Sequence, residues 1–503
     1  MTGMPEDYVR RSTPRVSPAH LVIAGFGPVS GYKYSRCIAS GIRDGVLNGY
    51  TVIDLASQRS IVAERLAKLP VQPEHSFFIP DEIIGRDIDA GPQWIWDRLA
   101  GLHAGVRKKL VIATEPQAHA AYLRDSIERG VDTLTTKPVV LPMRNGLFDA
   151  ASIFPETHAL AELAGRSSRH SILCLGRHHD VYEHRVRAPI AFMMRRFQTP
   201  ITSINLKTAS GVWNLPSEFH SRDDHPYKYG YGMLMHGAYH YIDIFTRLLQ
   251  MNRLIFPQEE LELHITGYSA GPQDQHLRIP RGVEGLLQGY DESFGKLKPG
   301  EAYGETDIVV TAALRPRRSA RTICLATLAF EQTTPGMRSW GTFPAVPYNI
   351  NGRLHCTDLD VRLGTIFSVN GHVRKSPIGA RRGGDDIRGQ NTGIITTRSN
   401  AGLTGTQEYI REEHLSRPYG SSFSYLAESR IFARWINDEE TFSSLHSHVP
   451  ANAVLAGLAQ IAAGEPRAVV DFNFPVPEWP SDVTQLEHEH LDEGSMFAAH
   501  RAL

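Results

Sequence analysis

The stretch Leu21–Gly31, LVIAGFGPVSG, decides the fold. Four successive apolar residues, Leu21 to Ala24, predict a strand buried on both faces, and glycines at 25, 27 and 31 follow where a helix should begin. Gly25 lets the chain turn tightly, and Gly27 lets backbone approach a pyrophosphate. The first turn of the next helix then offers unpaired N–H groups and a positive dipole end. Ser30 stands at the third glycine position of G-x-G-x-x-G, with Gly31 one place later. Gly25, Phe26, Gly27, Pro28, Val29 and Ser30 are therefore a candidate phosphate cradle, the alternative being a glycine-rich turn with no ligand.

The run Tyr50 to Asp54 reads as a second buried strand ending in an acid. That is the spacing at which a dinucleotide-binding unit places the carboxylate that bonds the adenosine ribose. Asp54 favours NAD, because a carboxylate would repel a 2′-phosphate, while Arg59 five residues on keeps NADP open.

A chain of 503 residues exceeds one ordinary domain, so two are expected. A formal net charge of −1 gives no attraction to nucleic acid or anionic membrane. Cys37, Cys174, Cys324 and Cys356 are scattered without a C-x-x-C pair, which argues against a disulfide framework or cysteine metal site and for a reducing compartment. The N-terminus lacks the apolar core of a secretory signal, and no stretch approaches the roughly 20 apolar residues of a membrane span. A cytoplasmic protein is expected, with residues 1–19 a flexible arm.

Helical spacing over 60–69 and apolar runs at 75–79 and 110–113 continue an alternation of strand and helix, the pattern of a parallel sheet covered on both faces. The next segment runs ATEPQAHAAYLRDSIERGVDTLTTKPVVLP. It reads as a strand end, a turn at Glu115-Pro116, a helix carrying His119, and a strand stopping at Thr136-Lys137-Pro138. Ligands in such sheets bind beyond the carboxyl ends of the strands, so Lys137 faces the crevice, or else is an ordinary surface lysine. Pro138 fixes the backbone there and is a candidate cis residue.

Further along, GYGMLMHGAYHYIDIFTRLL predicts a helix over 235–249 with His236, His240 and Asp243 at i, i+4 and i+7 on one face. Spacing alone leaves two readings, a polar face that carries histidines or a zinc site. The second lacks support, because Gly237 occupies the place of the glutamate in H-E-x-x-H and no cysteine joins it, so no metal is assigned.

The G-x-G turn, Asp54 with Arg59, the Thr114, Pro116 and His119 pattern, and Lys137-Pro138 together resemble the glucose-fructose oxidoreductase, inositol dehydrogenase and rhizopine catabolism (Gfo/Idh/MocA) family. The later helix is similar to that family's G-G-x-L-x-D-x-x-x-H-x-x-D signature at Gly232, Leu234, His240 and Asp243, with Tyr231 for the first glycine and His236 for the first aspartate. Thr136 stands where the family has the glutamate of Glu-Lys-Pro.

The resemblance implies an N-terminal Rossmann domain and a C-terminal α/β domain with an open, mostly antiparallel sheet, assembling as a homodimer or homotetramer. It implies NAD(P)-dependent hydride transfer to or from a secondary alcohol of a sugar, cyclitol or related polyol. The roles it carries over are His240 as acid–base, Lys137 at the reacting hydroxyl and nicotinamide ribose, Arg59, Thr114, Pro116, His119 and Pro138 as cofactor contacts, and His236 as a substrate or relay group. His179, Trp213, Tyr239 and Asp243 follow as further substrate-side residues. Two alternatives within the fold remain, a cofactor used without net redox change and a non-catalytic dinucleotide-binding regulator.

The expected domains are 20–145, the Rossmann unit, and 146–475, the substrate-binding and oligomerisation unit. The second unit carries insertions over 271–304 and 371–402, the latter rich in arginine and glycine, and closing helices over 423–435 and 451–463. A polar tail, flexible or draped on a neighbour, covers 476–503.

Overall fold

The structure is a computed structural model that describes residues 17–27, 34–102, 104–166, 169–214, 216–221, 225–278, 297, 302–319, 321–335, 355–377, 389–405, 409–418 and 422–479. The apolar run at residue 21 forms β1 (Ala19–Ala24), which pairs in parallel with β2 (Leu47–Leu55) on one side. Beyond β2 lies β3 (His75–Ile79), and on the other side of β1 lie β4 (Lys108–Ile112) and β5 (Asp132–Thr136).

A two-residue hairpin, β6 (Met143–Arg144) with β7 (Leu147–Phe148), precedes β8 (His170–Leu173), which pairs in parallel with β5. The sheet order is β3-β2-β1-β4-β5-β8. This sheet thus continues past residue 145, with β8 as its sixth strand.

Residues of β1 alternate between two cores because a central strand is covered on both faces. Val22 and Ala24 pack with Ile112, Tyr122 and Leu123, while Leu21 and Ile23 pack with Val52, Phe432 and Trp435. The helix Phe423–Ile436, expected to close the second domain, therefore covers the first sheet. Phe432 stacks on Tyr34 at 5.0 Å, and buried Lys109 meets Asp438 at 2.7 Å.

The second sheet begins with β9 (Ser203–Trp213) and continues with β10 (Leu261–Ala270), β11 (Asp307–Pro316), β12 (Cys324–Pro335) and β13 (His355–Leu363). It is completed by β14 (Phe367–Pro377), β15 (Gly389–Ser399), β16 (Ile410–Pro418) and β17 (Ala468–Asp471). Its order is β16-β15-β14-β13-β9-β12-β11-β10-β17, antiparallel except where β9 runs parallel to β12.

The arginine- and glycine-rich segment 371–402 is thus no insertion, since most of it forms β14 and β15. Its glycines have a packing reason. A Cβ at Gly371 would lie 3.0 Å from Val186, and one at Gly393 2.8 Å from Val181, so both permit close approach of the π-helical turn Asp180–Arg187. Arg381, Arg382 and Arg388 lie outside the described residues, as does most of the segment 271–304 after its opening helix Pro272–Arg278.

Between the sheets runs the helix Tyr239–Gln250, buried along its whole length and preceded by one π-helical turn, Leu234–Ala238. It packs with β9 and the helix Val449–Ala462. The tail is not loose from residue 476, because Trp479 lies under the guanidinium groups of Arg187 (3.6 Å) and Arg247 (4.1 Å). The remainder of the tail lies outside the described residues, as do residues 1–16 of the arm. No helix among the described residues is long and apolar enough to cross a membrane.

Candidate active site

Adjacent strands β2, β1, β4 and β5 end side by side, so Asp54, Gly25, Thr114 and Lys137 share one edge of the parallel sheet. Gly25 has φ +85°, and a Cβ there would fall 2.4 Å from the Ala113 carbonyl oxygen, so the position excludes any side chain. Around the place of a Cβ at Gly27, by contrast, no other described residue lies within 4 Å.

The Asp54 carboxylate accepts from the N–H of Phe26 (2.7 Å) and of Leu55 (2.7 Å), which ties the end of β2 to the glycine turn. Arg65, a residue not singled out by pattern, donates to the Phe26 carbonyl at 2.8 Å. Arg59 lies over the ring of Phe78 at 4.2 Å. Pro28, Val29 and Ser30 lie outside the described residues.

Pro116 opens a 3₁₀ turn into the helix of His119. The His119 ring is fully buried, with Nδ1 2.7 Å from the Pro138 carbonyl and Nε2 3.2 Å from the Thr114 carbonyl. Burial pulls its pKa down to about 4, against the opposing pull of those two carbonyls. His119, expected to contact cofactor, instead pins the Thr114 and Pro138 loops behind the crevice wall. Thr136 places its hydroxyl 3.4 Å from the same ring, so the residue in the glutamate's place belongs to this brace.

The Lys137–Pro138 peptide is cis, and Lys137 Nζ donates to the backbone carbonyl of His236, 99 residues away. This bond joins the parallel sheet to the central helix. His236 sits among His225, Tyr227 and Tyr231, with ring centroids at 5.0, 4.9 and 5.4 Å. One turn on, His240 is nearly buried, and its Nδ1 accepts from the Leu175 N–H at 3.3 Å. Leu175 lies just past the end of β8, the neighbour of β5, which puts His240 at the same sheet edge as Lys137.

Three residues expected on the substrate side are occupied elsewhere. Asp243 is wholly buried and grips Arg177, with Oδ1 to Nη2 at 2.7 Å and Oδ2 to Nε at 3.0 Å. Burial alone would raise its pKa, but Arg177, with help from His448 and Arg247, holds it well below the usual carboxylate range. Tyr239 is also wholly buried, its hydroxyl 3.0 Å from His448 Nδ1 and 3.0 Å from the Asn452 amide.

His179 caps the turn Asp180–Arg187, accepting from the Val181 N–H at 3.2 Å, and stacks on Tyr182 at 4.2 Å. Burial drives its pKa down to about 3. All three are packing residues. Trp213 ends β9, and its side chain lies outside the described residues.

Glu305 was not anticipated as part of this region. It is buried beside the start of the central helix, with Oε1 accepting from the Leu234 N–H at 2.7 Å and its carbonyl from the Met233 N–H at 2.9 Å. Burial pushes its pKa up to about 7 against the lowering effect of the Leu234 N–H. Gly232 is the only residue type that fits beneath it, since a Cβ would lie 2.0 Å from the Glu305 carbonyl oxygen. Among the described residues no group of three metal-ligating side chains assembles.

No known protein-family profile matches the sequence, and no curated protein matches it either. Solved structures do. Levoglucosan dehydrogenase matches with 12% identity over 90% of this chain and 99% of its own, at TM-score 0.48. A myo-inositol dehydrogenase from Corynebacterium glutamicum matches with 13% identity over 90% and 98%, at TM-score 0.45. An oxidoreductase domain protein from Kribbella flavida matches with 11% identity over 90% of this chain and 100% of its own, at TM-score 0.50. At that identity the likeness speaks for the fold alone, and the fold is the one expected: a parallel dinucleotide-type sheet joined to an open, mostly antiparallel sheet.

Proposed function

We propose that this protein is a nicotinamide-dependent oxidoreductase that moves hydride between the cofactor and a secondary alcohol or ketone on a sugar, cyclitol or related polyol. The observation that carries this reading is the meeting of Lys137, at the end of β5, with the His236 carbonyl one turn before His240, on the edge that also holds the Gly25 turn and Asp54.

The residues present fit a dinucleotide. Gly25 allows the tight turn, no other described residue crowds the place of a Cβ at Gly27, and each Asp54 oxygen keeps a lone pair beyond its one amide. When bound, the nicotinamide supplies a hydride acceptor or donor. Asp54 would bond the ribose and favours NAD over NADP. Lys137 and His240 would orient the reacting oxygen and manage its proton.

The reading includes a homodimer or homotetramer through the open sheet, supported by Tyr268, Val309 and Leu325, which are exposed on one face of β10, β11 and β12. It also places the protein in a reducing compartment such as the cytoplasm, supported by four unpaired cysteines.

The deciding experiment is calorimetric titration with NAD, NADH, NADP and NADPH, followed by a polyol screen at the nicotinamide absorbance band. Saturable binding of the NAD pair, weakened about tenfold or more by Asp54→Ala through lost charge-assisted hydrogen bonds, is expected. No binding, with no cofactor released on denaturation, would sink the reading.

A further inference from the structure

We propose that His240 works as a neutral imidazole that donates a hydrogen bond from Nε2 to the reacting oxygen, and that the proton of the reaction passes through Lys137 Nζ. This rests on the reading of the site as a hydride-transfer centre and assigns the proton within it.

The decisive contact is the Leu175 N–H to His240 Nδ1 bond, 3.3 Å. A backbone amide can only donate, so the nitrogen it meets must present a lone pair. The neutral ring then carries its hydrogen on Nε2. A histidine that accepts a proton at Nε2 needs the reverse arrangement, a hydrogen on Nδ1 directed at an acceptor. A second proton on this ring would set Nδ1–H against the Leu175 N–H, two donors facing each other.

The amide is held in place by more than its own bond. Cys174 Sγ lies 3.5 Å from Asp243 Oδ2, and Arg177 grips both oxygens of the same carboxylate. Residues 174 and 177 are thus fastened to the helix three residues beyond His240. Gly176, between them, lies so close that a Cβ there would be 2.5 Å from Ile244 Cγ1 and 3.1 Å from the His240 carbonyl oxygen. The donor at 175 cannot turn away without breaking a buried ion pair.

Lys137 is the second polar group that the sheet edge brings to this helix, and it is a proton carrier with no tautomer restriction. In the oxidising direction the carbinol C–H bond breaks with its electron pair leaving as hydride for the oxidised nicotinamide. Lys137 takes part as the neutral amine: the O–H proton passes to the lone pair of its Nζ, which becomes the ammonium, the C=O bond forms, and the His240 Nε2–H stays on the ring, bonded to the oxygen throughout. Reduction is the reverse, with Lys137 supplying the proton.

The test has two arms. In protein labelled with ¹⁵N-histidine, the signals lost in a His240→Gln difference spectrum report the tautomer. A protonated Nε2 and an unprotonated Nδ1, unchanged from about pH 6 to about pH 9, are expected. An Nδ1–H tautomer or a titrating ring overturns the proposal.

On a polyol found by the screen, His240→Gln, whose amide still donates, should stay within about tenfold of wild type in kcat/KM. His240→Ala should fall by roughly a hundredfold or more, and the pH profile of His240→Gln should keep the wild-type shape. A glutamine variant as inactive as the alanine variant, with a limb of the pH profile gone, would restore His240 as the proton acceptor. If no substrate or cofactor is found, the function fails while the tautomer measurement still decides the inference.

Discussion

Asp243→Ala should be among the most damaging substitutions in this chain, for reasons that can be worked through atom by atom. Arg177 and Asp243 are both about 2% exposed or less, and the carboxylate gives one oxygen to each of two guanidinium nitrogens, at 2.7 and 3.0 Å. Arg177 also donates to the Phe442 carbonyl (2.7 Å) and the Ser447 carbonyl (3.0 Å). Removing the carboxylate leaves the guanidinium buried among dipoles with no counter-charge, a loss of about 3–5 kcal/mol. Arg177→Met strands the carboxylate instead, beside a His448 ring 3.6 Å away at Nδ1 whose burial holds its pKa well below the ordinary value, and should cost a similar amount.

The double variant Arg177→Met with Asp243→Leu removes both charges and fills the space, so it should be less damaging than the sum of the two singles by at least about 2 kcal/mol. Chemical denaturation followed by tryptophan fluorescence measures all three. Because Asp243 has a depressed pKa in the folded state, its contribution is full above the ordinary carboxylate range and disappears only as pH falls below about 4. Single variants that lose less than about 1 kcal/mol at neutral pH, or a double variant that is simply additive, would refute the account of the pair as a buried and mutually dependent unit.

Three other outcomes follow from the same geometry. His119 drops from its ordinary 6.5 to about 4 through burial, so the unfolded chain takes the proton first and stability falls as pH drops from about 6.5 toward 4. About 2 kcal/mol should be lost between roughly pH 7 and 5 by this residue, and His119→Gln should flatten that slope; equal slopes in the two proteins would contradict it. Glu305 has the opposite sign, since its pKa rises to about 7 and its contribution is full below the ordinary carboxylate value and lost as pH rises through 7. Glu305→Gln, which still accepts the Leu234 N–H, should gain about 2 kcal/mol on wild type between roughly pH 5 and 8, read from melting curves at both pH values. Gly25→Ala forces a side chain into φ +85° and against the Ala113 carbonyl, so it should lower stability by about 1–3 kcal/mol and abolish saturable NAD binding in calorimetry.

Local pattern carried far where structure is local. The run Leu21–Ala24 read as a doubly buried strand because both faces of β1 are covered, and the open sheet implied by the resemblance agrees with the alternating burial along β10 and β13. The segment 371–402 misled because its glycines and arginines are loop-like in composition. Gly371 and Gly393 answer to Val186 and Val181, contacts roughly two hundred residues distant that no window contains. The helix Phe423–Ile436 forms where expected, but its place against the first sheet was not legible, since nothing in its own sequence says which sheet its apolar face will cover.

The same contrast runs through the site. The positions of Gly25, Asp54 and Lys137 at the ends of β1, β2 and β5 were legible because strand ends and turn chemistry set them. Tyr239 and Asp243 were not, because the groups that satisfy them come from distant parts of the chain, Arg177 for Asp243 and His448 with Asn452 for Tyr239, while His179 is held by its near neighbours Val181 and Tyr182.

The polar residues of the central helix can be sorted by the origin of their partners. Tyr239, Asp243 and Arg247 face His448, Arg177 and Glu183, all buried. His236 and His240 are tied to that edge through Lys137 and Leu175. A helix surrounded by protein must satisfy every polar group it carries, and here one side satisfies its groups internally while the other is joined to the crevice by two backbone contacts. Those contacts run in opposite directions: the helix offers a carbonyl to Lys137, and the sheet edge offers an amide to His240. The first leaves an amine at the crevice and the second fixes which nitrogen of the imidazole bears hydrogen. The division of labour between a proton carrier and a fixed hydrogen-bond donor is thus set by main-chain groups, which side-chain substitution elsewhere on the helix leaves in place as long as the Arg177–Asp243 pair holds the two segments together.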